Sequence, residues 1–175
     1  LSVCDYNLEK MGTKKIDNTH NLLLEVCLAA KHEGESLQGY YGKYDAQYHD
    51  FGSTICTVLA RSFADIGDII RGKDLFLGGP SQEKKKLEER LQKMFENIKN
   101  NNGDKLGHLS TEQVREYWWA LNRQDVWKAI TCNANDDDKY FREKNSDGNT
   151  CTVYKCKCAN MDPPTKLDYV PQYLR

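Results

Sequence analysis

The chain has 175 residues, 39% of them hydrophobic and 29% charged, with a formal net charge of -1. That is enough apolar material for one domain with a core, too short to expect two domains, and unlike a disordered chain. The balanced charge excludes a strong field for nucleic acid or anionic membrane, although not a local basic face, and no apolar run approaches the ~20 residues of a bilayer span.

Leu1 is not Met, and Tyr173-Leu174-Arg175 falls inside what reads as a helix. Both ends therefore read as cut, and any secretion signal or membrane anchor is expected outside this chain. Four segments carry helical periodicity. The first, residues 18–33, places Leu22, Leu23, Val26, Cys27 and Ala30 on one stripe, and Gly34 predicts a C-terminal cap. Residues 39–50, rich in Tyr and Gly and poorly patterned, read as a loop. The second helix, 53–72, is capped by Ser53 or Thr54 and carries Ile55, Val58, Leu59, Ser62, Phe63, Ile66, Ile69 and Ile70 before Gly72 interrupts it. Gly78-Gly79-Pro80 is a break.

The third helix, 81–99, turns Leu87, Leu91, Met94, Phe95 and Ile98 inward under a mixed-charge outer face, and Asn100 to Gly103 ends it. The fourth, 110–131, has the best start signal: Ser110 with Gln113 as a capping box, and Leu109 with Val114 as a hydrophobic staple. It continues through Tyr117, Trp118, Leu121, Val126 and Ile130 to Cys132. Beyond it the chain turns polar and rich in cysteine, until Pro171 suits the first turn of a new helix. Four helices with short-to-medium loops predict an all-α, disulfide-stapled helical bundle.

Seven cysteines stand at positions 4, 27, 56, 132, 151, 156 and 158. Crowding three of them between Cys151 and Cys158 favours an oxidising compartment, and the odd total leaves at least one thiol free or partnered beyond the cut ends. Zinc at Cys132, Cys151, Cys156 and Cys158 is disfavoured, because structural sites use two closely spaced pairs. Asn145 to Asn149 alternates oxygen ligands as a calcium loop does, but the Gly is misplaced and Cys156 stands where the closing Glu belongs, so the segment reads as a turn.

The histidines at 20, 32, 49 and 108 are scattered, and no zincin, phosphate loop or nucleophile elbow is present. His32 with Glu33 reads as a solvated helix end. The densest basic run is Lys84-Lys85-Lys86, and Lys86, Arg90 and Lys93 share one helix face that could meet a sulfated glycan. Interleaved glutamates make an ordinary solvated face the competing reading. Trp118 joins the core stripe, while Trp119 and Trp127 are expected to be buried between neighbouring helices.

The string Ala60 to Leu75, ARSFADIGDIIRGKDL, resembles the signature of Duffy-binding-like domains, the adhesion modules of malaria-parasite surface proteins. Glu116 to Arg123, Val126 to Cys132, Leu22 to Ala30 followed by Glu33-Gly34, and Asp168 to Arg175 agree with the same family, in its order. The resemblance is to the alpha class found at the head of the erythrocyte membrane protein one family. It implies a partial domain, with residues 1–50 closing a first subdomain and 51–175 forming most of a helical second one.

The same resemblance implies host-receptor adhesion, rosetting and antigenic variation on the extracellular face of the infected erythrocyte, anchored by a segment outside this chain. The implied partners are a heparan-sulfate-like glycan, a blood-group sugar or complement receptor, together with antibodies and neighbouring domains of the same protein. No cofactor, enzymatic activity or nucleic acid is implied. The alternative is a structural, antigenically variable spacer whose neighbours hold the receptor. If the second and fourth helices pack antiparallel, Cys56 and Cys132 come within bonding reach, and the resemblance supports that bridge. Cys27, Cys151, Cys156 and Cys158 would share the remaining thiols, with Cys4 left unpartnered.

Overall fold

The computed structural model describes residues 19–48, 55–75, 82–140, 144–145, 147–151 and 155–175. Apolar residues three and four apart produce α-helices α1 (Thr19–Tyr48), α2 (Ile55–Arg71), α3 (Gln82–Asn101) and α5 (Thr111–Ile130). A four-residue α4 (Gly103–Leu106) and 3-10 turns at Leu167–Tyr169 and Gln172–Leu174 complete the elements, and no strand occurs among the described residues. None of these helices is long and apolar enough to cross a membrane. The architecture is the expected all-α bundle. Cys4, the caps at Ser53 or Thr54, the break at Gly78 to Pro80, and Ser81 lie outside the described residues.

The core takes Leu22, Val26 and Ala30 from α1 and Leu59, Phe63, Ile66 and Ile70 from α2. Leu87, Leu91, Met94, Phe95 and Ile98 come from α3, as their spacing predicts. The three tryptophans of α5 are all buried. Phe63 lies 5.2 Å from both Trp119 and Trp127, and Phe95 meets Trp118 edge-on at 6.0 Å. Such aromatic pairs contribute beyond the area they bury.

Two ends follow the local chemistry. Ser110 accepts from the Gln113 backbone while the Gln113 side chain accepts from the Ser110 backbone, the predicted capping box. Gly72 ends α2 in the left-handed region at φ +71°, and Lys73 N–H closes back on Asp68 O at 2.8 Å.

Four expectations need correcting. Gly34 does not cap α1, and residues 39–48 are not a loop, because α1 runs through them. A Cβ at Gly34 would stand 2.1 Å from the Ile130 carbonyl oxygen, so this glycine lets α1 touch the end of α5. Glu33 is not at a solvated end either: it is 3% exposed and accepts from Ser62 Oγ at 2.8 Å, tying α1 to α2. Tyr117 and Leu121 do not join the core and are instead exposed on α5.

Candidate functional site

Three of the strings that carry the family resemblance, Ala60 to Leu75, Glu116 to Arg123 and Asp168 to Arg175, meet in one buried ionic network. Asp168, 1% exposed, accepts from Arg123 Nε and Nη2, both at 2.8 Å, and from Trp119 Nε1 at 2.9 Å. Arg71 donates to the backbone oxygen of Asp168 and to Asp68 Oδ1, while Arg175 reaches Asp68 and Asp65. The first 3-10 turn is thereby clamped onto α2 and α5. The Arg71 and Arg123 guanidiniums each lie 5.2 Å from the Tyr169 ring centroid. Arg115, 2% exposed, serves a neighbouring joint: it donates to the carbonyls of Ile69 and Ile70 at the end of α2 and grips Glu88 of α3 through two nitrogens.

Burial raises the carboxyl pKa of Asp68 and Asp65 above the usual range, against the pull of Arg175. For Arg123, burial pulls downward, but the hydrogen bond and charge of Asp168 outweigh it and hold the guanidinium above its ordinary value. These groups are satisfied by one another, so the network positions the chain and offers no free ligand atom.

The basic face predicted on α3 lies outside this network. Lys86 and Lys93 are exposed, and Arg90 is half-buried beside the core residues of α3 and already engaged with a neighbour. Lys84, from the same run, pairs with Asp74 at 3.9 Å. Neither Lys86 nor Lys93 has an ion pair among the described residues.

The cysteines pair differently from the expectation. Cys56 joins Cys156, with Cα atoms 5.4 Å apart, and Cys151 joins Cys158. The antiparallel packing behind the Cys56–Cys132 expectation is present: Arg115 reaches Ile70 at one end of the α2–α5 pair, and Phe63 reaches Trp127 toward the other. The Cys156 carbonyl, however, accepts from Trp127 Nε1 at 3.0 Å, which seats the later loop over the start of α2. Cys132 is left exposed and free, and Cys27 is half-buried and free. Burial, reinforced by Asp125, pushes the Cys27 thiol up to about 11.

The bridges occupy three of the four thiols considered for zinc, and no cluster that could hold a metal occurs among the described residues. Asn145 to Asn149 forms the predicted turn, with Gly148 at φ +83° and its N–H bonded to Asn145 O at 3.1 Å; Ser146 lies outside the described residues.

The profile of the Duffy binding domain family matches residues 1–175. The NTS-DBL1(alpha-1) domain of the Plasmodium falciparum membrane protein 1 from the varO strain is 39% identical, with a TM-score of 0.76 over 98% of this chain and 39% of that one. The varO double domain of NTS-DBL1-alpha and CIDR-gamma is 38% identical, with a TM-score of 0.79 over 98% of this chain and 25% of that one. The IT4var13 DBLbeta domain of the same protein group, solved bound to ICAM-1, is 32% identical with a TM-score of 0.64, covering 96% of this chain and 39% of that one. The chain thus spans about two fifths or less of these solved relatives. No curated protein sequence matches it. The chain belongs to the Duffy binding domain family, and within it resembles the alpha-class Duffy-binding-like domains of erythrocyte membrane protein 1.

Proposed function

We propose that this chain is part of an adhesion domain that binds a host receptor on the extracellular face of the infected erythrocyte, anchored by a segment outside the chain. The supporting observation is membership of the Duffy binding domain family over residues 1–175, in a group that includes a domain solved bound to ICAM-1. In this reading residues 1–50 close a first subdomain and 51–175 form most of the helical second one. The clamped network is scaffold, and the receptor is met by exposed side chains.

Lys86, Arg90 and Lys93 are the contact face we assign to a sulfated glycan of the heparan-sulfate kind. Ammonium and guanidinium groups on one side of a helix meet sulfates through charge-assisted hydrogen bonds. The test is solid-phase binding of the purified chain to red cells and to heparin. Lys86→Glu, Arg90→Glu and Lys93→Glu together should abolish heparin retention with an unchanged far-UV circular dichroism spectrum. Raising salt should weaken retention of the unsubstituted chain, since exposed charges are screened beyond about 10 Å at 0.1 M salt. A chain that binds neither red cells nor heparin would instead be a spacer presenting variable loops to antibodies.

A further inference from the structure

The chain beyond α5 doubles back so that Cys132 and Cys156 share one set of anchors. Thr131 donates to Trp127 O from both its N–H and its Oγ1, at 3.1 and 2.7 Å, and Ala134 N–H closes on Thr131 O at 3.0 Å. Cys132 rides on this turn, exposed and unbridged. Trp127 Nε1 also donates to Cys156 O at 3.0 Å, while Cys156 N–H donates to Asp138 O at 2.9 Å. The backbone of Cys156 is thus held on both sides by residues that flank Cys132 in sequence, and Lys157 follows directly. Bridges at Cys156 and Cys158 fix Lys157 from either side.

Lys157 is 9% exposed and makes no hydrogen bond or ion pair among the described residues. A buried charge without a counter-charge is costly. Burial lowers its pKa, Lys155 and Lys128 lower it further, and Cys132 pulls it upward. Three ammoniums and one thiol therefore share this corner of the fold. The nearby carboxylates do not relieve Lys157. Asp136 pairs with Lys155 at 3.8 Å and Asp125 with Lys128 at 3.7 Å, and both carboxylates are more than half exposed. Glu35 accepts from Asn133 Nδ2 at 3.1 Å and lies against Lys31 and His32, while Asp138 accepts from Asn135 N–H at 2.7 Å. Asp137 is exposed to water and forms no ion pair with these lysines. Exposed pairs such as Lys155–Asp136 contribute little and open readily to a competing anion.

We propose that Cys132 is a modification site for an anionic low-molecular-weight disulfide of the glutathione kind, docked by Lys157, Lys155 and Lys128. The thiol supplies the covalent chemistry, and the ammonium without a counter-charge supplies the preference for an anion. Glutathione disulfide joins sulfur and carboxylates in one molecule. The Cys132 thiolate attacks one sulfur of that disulfide, and a new S–S bond forms at Cys132 Sγ as the original S–S bond breaks. The second glutathione leaves as its thiolate and takes up the proton that Cys132 gave up. One thiol and one disulfide enter and one of each leaves, so no separate oxidant is consumed. The site lies apart from the basic face of α3 and does not depend on the receptor-binding reading.

The test treats the 175-residue chain with glutathione disulfide and with the neutral 2-hydroxyethyl disulfide, and follows modification of Cys132 by peptide mapping under non-reducing conditions. Each rate is divided by that of the chain unfolded in urea, which removes the intrinsic reactivity of the two reagents. Glutathione should appear on Cys132, with Cys56–Cys156 and Cys151–Cys158 intact. At low salt the corrected rate with glutathione disulfide should exceed that with the neutral reagent by roughly threefold or more, and the excess should fade as salt rises. Lys157→Gln should remove most of the excess with an unchanged circular dichroism spectrum, and Lys128→Gln, on the surface of α5, should remove part of it. If Lys157→Gln fails to fold, Lys128→Gln and the salt dependence decide. Equal corrected rates for the two reagents, an excess indifferent to salt, or an excess that survives both substitutions would each overturn the proposal. So would recovery of Cys132 bridged to Cys56 or Cys156 in place of the glutathione adduct.

Discussion

Arg123 holds Asp168 through two hydrogen bonds of 2.8 Å, from Nε to Oδ2 and from Nη2 to Oδ1, across 45 residues of sequence. Trp119 Nε1 adds a third bond to the same carboxylate. A charge this buried is tolerated only while fully partnered, and removing one side strands the other. Asp168→Ala should therefore destabilise the chain by about 3–5 kcal/mol in urea unfolding. A loss below about 1 kcal/mol would show that the C-terminal segment is not anchored through this pair.

Two glycines of α1 should respond with opposite signs. At Gly34 an added Cβ meets the Ile130 carbonyl at 2.1 Å, backbone against backbone, so one helix must move. Gly34→Ala is expected to cost about 1–3 kcal/mol, as overpacking does. At Gly39 a Cβ meets nothing within 4 Å. Gly39→Ala should raise stability by about 0.5–1 kcal/mol through helix propensity alone. Thermal melts of the two variants decide the matter, and a loss at Gly39 would mean that α1 does not continue past Gly34.

That contrast also marks how far the fold was legible in the sequence. Leu87, Leu91, Met94, Phe95 and Ile98 could be placed from spacing because a helix repeats every 3.6 residues and its apolar side must be covered. Gly34 could not be placed, since glycine both ends helices and admits a close neighbour, and only the neighbour distinguishes the two. The antiparallel run of α2 and α5 entered only as the condition for a Cys56–Cys132 bridge, and the structure shows that run. That run does not identify the partner of Cys56, because Cys156 arrives through an irregular loop with no periodic signal. Within the ionic network, Asp168 and Arg123 were visible as members of matching strings, but their pairing over 45 residues leaves no mark in local spacing.

Asp68 should give the chain a measurable pH signature. Burial raises its carboxyl above the usual range although Arg175 and Arg71 oppose the shift, and Asp74 reinforces it. Asp65 is raised by burial too, with Arg175 opposing and Asp68 and Asp74 adding. A carboxyl whose folded pKa is raised binds its proton more tightly in the native state, so its stabilising contribution is present below the ordinary pKa. That contribution is lost as pH rises through the folded value. Asp68→Asn imitates the protonated form at every pH. The stability advantage of the unsubstituted chain over this variant should therefore shrink as pH rises from about 4 to 7. Measured urea midpoints showing the advantage growing would mean that Arg175 and Arg71 overcome the cost of burial.

The free thiols and the bridges supply the most direct test of the C-terminal arrangement. Cys132 is exposed, whereas Cys27 is half-buried with a pKa of about 11. At pH 8 a thiol with that value is ionised in roughly 1 molecule in 1,000, and the thiolate is the species that reacts. Iodoacetamide under non-reducing conditions should therefore label Cys132 rapidly and Cys27 slowly, with the gap narrowing in urea. Peptide mapping of the same sample should recover Cys56 joined to Cys156 and Cys151 joined to Cys158. The first bridge closes 100 residues and should contribute roughly 4.7 kcal/mol by restricting the unfolded chain. The second spans a sequence separation of only 7 and should contribute roughly 2.5 kcal/mol. Breaking the two bridges one at a time, as Cys56→Ala with Cys156→Ala and as Cys151→Ala with Cys158→Ala, should reproduce that order. Recovery of Cys56 bound to Cys132 would mean that the loop after α5 does not cross the start of α2, and the seat of Cys156 on Trp127 would fall with it.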